Sequence, residues 1–312
     1  MRNPLWVERW RPQTIEETIL PAQTKAMFQK FVADRTIPNL LLSGTPGIGK
    51  TTVAKAALEQ LGCDYHVINA SLERNIDTLR VDILQYVSTH SIMNPGRKYI
   101  ILDEADYLNP NTFQPAFRNF TEEHADNCGF ILTCNYPSKL IEPLRSRFSL
   151  VDFRISKDER PALMKEFTLR VFKILDTEGV SYEKPAVIGV VKKYFPDMRR
   201  VLVELQSYAA TGKIDTGILA NPIEDSIATL YQMMKDKEFT AIRKWVADNS
   251  DIDATDLFAK IYALADQHVA PQSIPELVLI IAKYQYQAAF VANQEINNLA
   301  SCIEMMMELT WS

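Results

Sequence analysis

Gly44-Thr45-Pro46-Gly47-Ile48-Gly49-Lys50-Thr51 fills every fixed position of a phosphate-binding loop. The apolar run Leu40-Leu41-Leu42 precedes it, and the helix-forming run Val53-Ala54-Lys55-Ala56-Ala57-Leu58 follows. That context is what the chemistry needs. A strand must deliver the chain to a tight turn, glycines must let backbone N–H groups close on phosphate oxygens, and a new helix must aim its N-terminus at them. Lys50 supplies a charge for the β- and γ-phosphates, Thr51 a hydroxyl ligand for Mg²⁺, and the stretch through Thr52 completes the cradle. These residues predict binding of a nucleoside triphosphate.

Further along, Tyr99-Ile100-Ile101-Leu102 runs into Asp103-Glu104-Ala105-Asp106, a buried strand that ends in carboxylates at the phosphate edge of a sheet. Asp103 is expected in the Mg²⁺ shell and Glu104 as the base that orients and deprotonates the attacking water. A strand end followed by an acidic helix cap is the plainer alternative. The next strand, Phe130 to Cys134, delivers Asn135 to the same edge, where it either senses the γ-phosphate or caps the turn before Pro137. A strand inserted between the loop and the acidic motif favours the additional-strand P-loop ATPases over GTPases and simple kinases.

Strands are expected at 40 to 43, 65 to 69, 98 to 102, 129 to 134 and 149 to 153. Helices are expected near 22 to 35, 50 to 61, 76 to 89, 111 to 124 and 138 to 145. The fold class is therefore α/β: a parallel-sheet nucleotide domain over 1–154, a small helical lid over 155–215, and an all-helical segment over 222–312. Leu163, Phe167, Val171 and Ile174 recur at helical spacing in the lid, and turn residues from Thr211 to Pro222 mark the second boundary.

At 312 residues, 47% hydrophobic and 23% charged, the chain is long enough for several packed domains. No apolar run is long enough to cross a bilayer, and Met1-Arg2-Asn3-Pro4 begins no signal-peptide core, so an intracellular protein without membrane partners is expected. Cys63, Cys128, Cys134 and Cys302 form neither a zinc-ligand pair nor a disulfide framework. The net charge of −5 argues against indiscriminate coating by nucleic acid while leaving room for a local basic track.

Taken together, Trp6 to Pro12, Asn69-Ala70-Ser71 with Glu73-Arg74, the Asp103 to Asp106 box, Ser146-Arg147 and Asp197-Met198-Arg199-Arg200 resemble an AAA+ sliding-clamp loader subunit. The form of these motifs is most similar to the large, ATPase subunit of T-even-type bacteriophage loaders, with the small subunits of replication factor C as relatives. The resemblance implies ATP and Mg²⁺ as ligands, and further copies of the chain plus a non-identical subunit as assembly partners. It also implies a sliding-clamp ring and primer-template DNA as targets, and the host cytoplasm as location if the chain is phage-encoded.

By the same resemblance, Trp10, Arg11 and Pro12 cover the adenine, although Trp10 as a plain core anchor is an even alternative. Arg147 corresponds to the arginine finger that enters a neighbour's site, with Arg145 as a competitor and a surface ion pair as the alternative role. Arg199 corresponds to the lid residue on the γ-phosphate, and Arg200 faces solvent. Gln114 matches the switch glutamine, a residue that the bare sequence reads as exposed on its helix. Arg74, Arg80 and Arg118 are the DNA-backbone candidates, and Ile83, Tyr86 and Val87 form the apolar face expected on the clamp unless that face packs on its own sheet. Two rival functions remain: a branch-migration type AAA+ motor, which should carry a winged-helix domain after the lid, and a non-catalytic nucleotide-binding scaffold.

Overall fold

Leu40, Leu41 and Leu42 are at most 1% exposed because β1 (Leu40–Ser43) has sheet neighbours on both sides and helices on both faces. The computed structural model describes residues 4–71, 81, 83–87, 97–210, 212–219, 222–250 and 252–312. With β2 (Tyr65–Asn69), β3 (Lys98–Asp103), β4 (Cys128–Cys134) and β5 (Ser149–Asp152), β1 forms a parallel sheet in the order β2-β3-β4-β1-β5. A strand buried on both faces reads as a continuous apolar run, which is why LLLS and YIILD look as they do.

Side chains alternate across the sheet. Leu40 and Leu42 pack with Phe28 of α1 (Ala22–Ala33) and with Ala54, Ala57 and Leu58 of α2 (Lys50–Leu61). Leu41, Ile100, Leu102, Phe130 and Leu132 pack on the opposite side with Phe113 and Phe117 of α3 (Phe113–Glu123) and with Ile83 and Val87. β4 lies between β1 and β3, as the inserted-strand reading requires, so the C-terminal ends of these three strands share one edge.

The helix expected over 138 to 145 is instead a 3₁₀ turn at Pro137–Lys139 and a single α-turn at Glu142–Arg145, with Leu140 and Ile141 extended between them. Pro143 explains the break: inside a continuous helix its ring would collide with the carbonyl of residue 139. The lid consists of α4 (Arg160–Thr177), α5 (Lys184–Tyr194) and α6 (Met198–Ala209), with Leu163, Phe167, Val171 and Ile174 buried as their spacing demands. A two-residue parallel pair, Ser181–Tyr182 with Lys213–Ile214, ties the lid's loops together and is too short to have a sequence period.

The chain divides into two compact units, Met1–Leu219 and Ala220–Ser312. The second holds α7 (Pro222–Lys235), α8 (Phe239–Asp248), α9 (Ala254–His268), α10 (Ile274–Ala288) and α11 (Gln294–Glu308). Asp253 and Asn293 cap α9 and α11 through their side chains, and Tyr231, Phe258, Ile261 and Met305 lie in its core. Its β-structure among the described residues is a single bridge, Val269 to Trp311, so no winged helix is present there. Among the described residues no helix is long and apolar enough to cross a membrane, and the four cysteines are free thiols.

Candidate nucleotide-hydrolysis site

The loop after β1 turns on Gly47 (φ 71°) and Gly49 (φ 102°), the latter serving as N-cap of α2. Gly47 is doubly constrained. Its backbone lies in the left-handed region, and a Cβ there would sit 1.8 Å from Oδ1 of Asp197, the cap of lid helix α6. Met198 N–H donates to the Gly47 carbonyl at 3.1 Å, so the lid rests directly on the phosphate loop. Gly47→Ala is therefore expected to push the lid away and weaken nucleotide binding at least about tenfold, read by titration with a fluorescent ATP analogue.

Lys50 is 8% exposed. Its Nζ donates to the carbonyls of Gly44 (2.7 Å) and Thr45 (3.0 Å) and to Oδ1 of Asn135 (2.9 Å). Burial pulls its pKa down, with Cys134, Asp103 and Asp106 acting the other way. Asn135 thus meets the loop lysine directly, because β4 pairs with β1 and ends beside it.

One layer over, Thr51 Oγ1 donates to Asp103 Oδ1 at 2.8 Å, and Thr133 Oγ1 donates to the same oxygen. Thr133 Oγ1 also accepts from the Glu104 N–H at 3.1 Å. Glu104 itself holds φ 59°, a left-handed conformation uncommon outside glycine and a recurring mark of functional positions. Thr133, on β4, is the residue that sequence reasoning missed: it fixes both carboxylate positions, and a threonine inside an apolar strand was the available signal.

The facing wall of the cleft is built by Trp10, Arg11 and Pro12, with Leu202 and Arg199 of α6. Trp10 is half-buried, packs against the lid core and also lines the cleft, so anchor and wall are the same residue. Arg11 donates to Thr52 Oγ1 at 3.0 Å and pairs with Glu8, whose carboxyl it holds below the usual range. Arg199 is exposed on the rim; Arg200 stacks over the Tyr194 ring at 4.5 Å and pairs loosely with Glu204, away from the site.

Arg147 lies at the surface, where its Nε donates to Glu122 Oε1 at 2.6 Å, so within one chain it adopts the ion-pair alternative. Arg145 is exposed and forms no side-chain bond among the described residues. Arg118 is half-buried with its Nε unpartnered, whereas Arg74 and Arg80 lie outside the described residues.

Two expectations need correction. Gln114 is completely buried: its amide donates to the carbonyls of Leu108 (2.9 Å) and Lys139 (3.1 Å) and accepts from Ile141 N–H (2.7 Å). It therefore stitches the turn after the acidic box to the turn after Asn135, and none of these bonds runs to Glu104. Gln114→Leu would fill the space but strand one buried and two partly buried backbone groups, an expected loss of about 1–3 kcal/mol in urea unfolding. The second correction concerns Ile83 and Val87, which are 2% and 7% exposed in the core beneath the sheet. Tyr86 stacks on His66 at 5.4 Å and beneath Lys98, and burial pushes its phenol up to about 12. An amphipathic helix beside an apolar sheet buries that face first, leaving Val81 (58% exposed) and Leu84 (38%) outward.

Comparison with known proteins agrees with this geometry. Residues 40–157 match the model of the ATPase family associated with various cellular activities, and 159–220 match the lid domain of the sliding-clamp-loader large subunit. The sliding-clamp-loader large subunit of Enterobacteria phage T4 is 33% identical over 97% of this chain and 96% of its own length. That of Escherichia phage RB69 is 31% identical over the same shares, and replication factor C subunit 5 of Homo sapiens is 30% identical over 95% and 89%. A Thermotoga maritima RuvB variant superposes with a TM-score of 0.53 at 17% identity, covering 74% of this chain and 84% of that one, a likeness of fold alone. The chain belongs to the sliding-clamp-loader large-subunit family and is an AAA+ ATPase subunit of such a loader.

Proposed function

We propose that the cleft binds ATP with Mg²⁺ and hydrolyses it at a seam completed by a second copy of the chain. The observation that carries this reading is the paired contact Lys50–Asn135 and Thr51–Asp103, which gathers a cation, a sensor amide and two hard oxygens at the mouth of one phosphate loop. Thr51 Oγ1 and Asp103 Oδ1 are a donor set suited to Mg²⁺, an ion that takes few protein oxygens and keeps water and phosphate for the rest. When bound, it would neutralise charge on the phosphate oxygens.

Glu104 takes a proton from the attacking water as its oxygen bonds to the γ-phosphorus and the bond to the β–γ bridging oxygen breaks. Lys50 and Asn135 orient the γ-phosphate, Arg199 meets it from the lid, and Trp10, Arg11 and Pro12 cover the base. Arg147 of one copy supplies charge to the next. Gln114 links the two catalytic turns and is the candidate switch.

Around this site, copies of the chain and a non-identical subunit assemble into a spiral that opens a sliding clamp, admits primer-template DNA and releases the closed clamp on hydrolysis. Arg118, with Arg74 and Arg80, tracks the DNA backbone without reading bases. Val81 and Leu84 replace Ile83 and Val87 as the apolar pair offered to the clamp. Leu84→Asp is then expected to weaken clamp binding about tenfold or more with unchanged unfolding stability, whereas Ile83→Asp acts by destabilising the domain. Steady-state ATPase with and without clamp and primed DNA tests the whole reading: stimulation by both is expected, no stimulation rejects the loader, and no turnover under any condition favours the scaffold.

A further inference from the structure

The first twenty residues are attached to two different bodies. Ile15 lies in the core under the sheet, and its N–H donates to Gln60 Oε1 of α2 at 2.8 Å. Residues 4 to 10 belong to the lid instead. Trp6 lies in the lid core, its N–H donates to Gln206 Oε1 of α6 (2.8 Å), and Gln206 Nε2 donates back to the Pro4 carbonyl (2.8 Å).

The strongest attachment centres on Glu178, the C-cap of α4. Its Oε1 accepts from the Trp10 indole N–H at 2.7 Å, and Arg9 Nη1 donates to Oε1 and Oε2 at 2.8 and 2.6 Å. Eight residues earlier on the same helix, Arg170 donates to the carbonyls of Trp10 and Glu17, each at 3.0 Å. The indole that walls the cleft is thereby held by edge and by backbone from one lid helix. Between the lid-bound segment and Ile15 lie Arg11 to Thr14, and beyond Ile15 the chain touches the lid again at Glu17 and Ile19. Burial raises the Glu178 carboxyl, but bonds from Trp10 and Arg9 outweigh it and hold the group below its usual range, so it stays an acceptor at neutral pH.

We propose that Glu178 is a positioning residue for nucleotide binding: it sets the Trp10 ring against the base and makes that wall travel with the lid. The proposal rests on the reading of Trp10 as base wall. It implies that lid closure and base contact are one event, since a ring fixed to α4 reaches the base only at the lid angle that also brings Arg199 and Met198 to the phosphate loop.

The test is a double-mutant cycle in the assembled protein, reading the Kd of a fluorescent ATP analogue alongside KM and kcat. Glu178→Ala is expected to raise Kd and KM about tenfold, and Glu178→Gln about two- to fivefold, with kcat at saturation within about twofold. Trp10→Phe, which keeps a ring but loses the N–H, should match Glu178→Ala, and the double variant should be no worse than either single. An unchanged Kd in Glu178→Ala, or a double variant whose loss is the product of the singles, overturns the proposal. A parallel fall in kcat and in nucleotide-free melting temperature for the shape-preserving Glu178→Gln would mark a merely structural role and overturn it too. Trp10→Ala with wild-type Kd would instead remove the base-wall reading underneath.

Discussion

Glu104→Gln is expected to lower steady-state ATP turnover by about two to four orders of magnitude while nucleotide affinity stays within a few-fold of the parent. The amide keeps the shape and the left-handed backbone, whose N–H still reaches Thr133 Oγ1 at 3.1 Å. What disappears is the basic carboxylate, and with it the acceptor for the water's proton. In the proposed mechanism Glu104 acts on the water and not on the triphosphate, so the loss is expected to fall on kcat and spare binding. Single-turnover hydrolysis beside equilibrium titration separates the two, and a variant with parental turnover would remove Glu104 from the role of base.

Arg147→Ala is expected to be more severe still in the assembly: three to five orders of magnitude in rate, about 4–7 kcal/mol of barrier. In a single chain Arg147 is paired with Glu122, but both side chains are partly open to solvent, 32% and 51% exposed. Such a pair is worth about 0–1 kcal/mol, so exchanging it for a neighbour's phosphates is energetically easy. The proposed action in trans sets the readout. In assemblies mixing Arg147→Ala subunits with Lys50→Ala subunits, activity should survive only at seams where an intact loop faces an intact finger. A defect confined to the subunit that carries the alanine would reject the arrangement. Arg145→Ala serves as control, with turnover near parental; Glu122→Ala, which frees the finger, should not reduce it.

Much of the candidate site is legible in the sequence because its members are contiguous. Gly47, Gly49, Lys50 and Thr51 form one turn whose backbone demands are local, and Asp103 with Glu104 ends one strand. The apolar runs announced the sheet, and Leu163 to Ile174 announced the first lid helix. Thr133 escaped because its partner Asp103 is 30 positions away, brought close by the register of β3 on β4. The bare sequence reads Gln114 as exposed, since a polar residue on a helix gives no sign that three backbone groups from two other turns wait for it. The sequence leaves the face of Ile83 and Val87 open between clamp and sheet, because periodicity identifies an apolar face but not which surface covers it; the structure packs it on the sheet.

The chain's local chemistry thus dictated an α/β P-loop ATPase with a helical lid, because phosphate cradles, strand runs and helix periods are short-range. Contacts between distant segments dictated the rest: the acidic strand beside the sensor strand, Gly47 beneath Asp197, Glu178 on Trp10, and Ile83 turned inward. Those depend on which surfaces meet after collapse, a property of packing that no window of neighbouring residues contains.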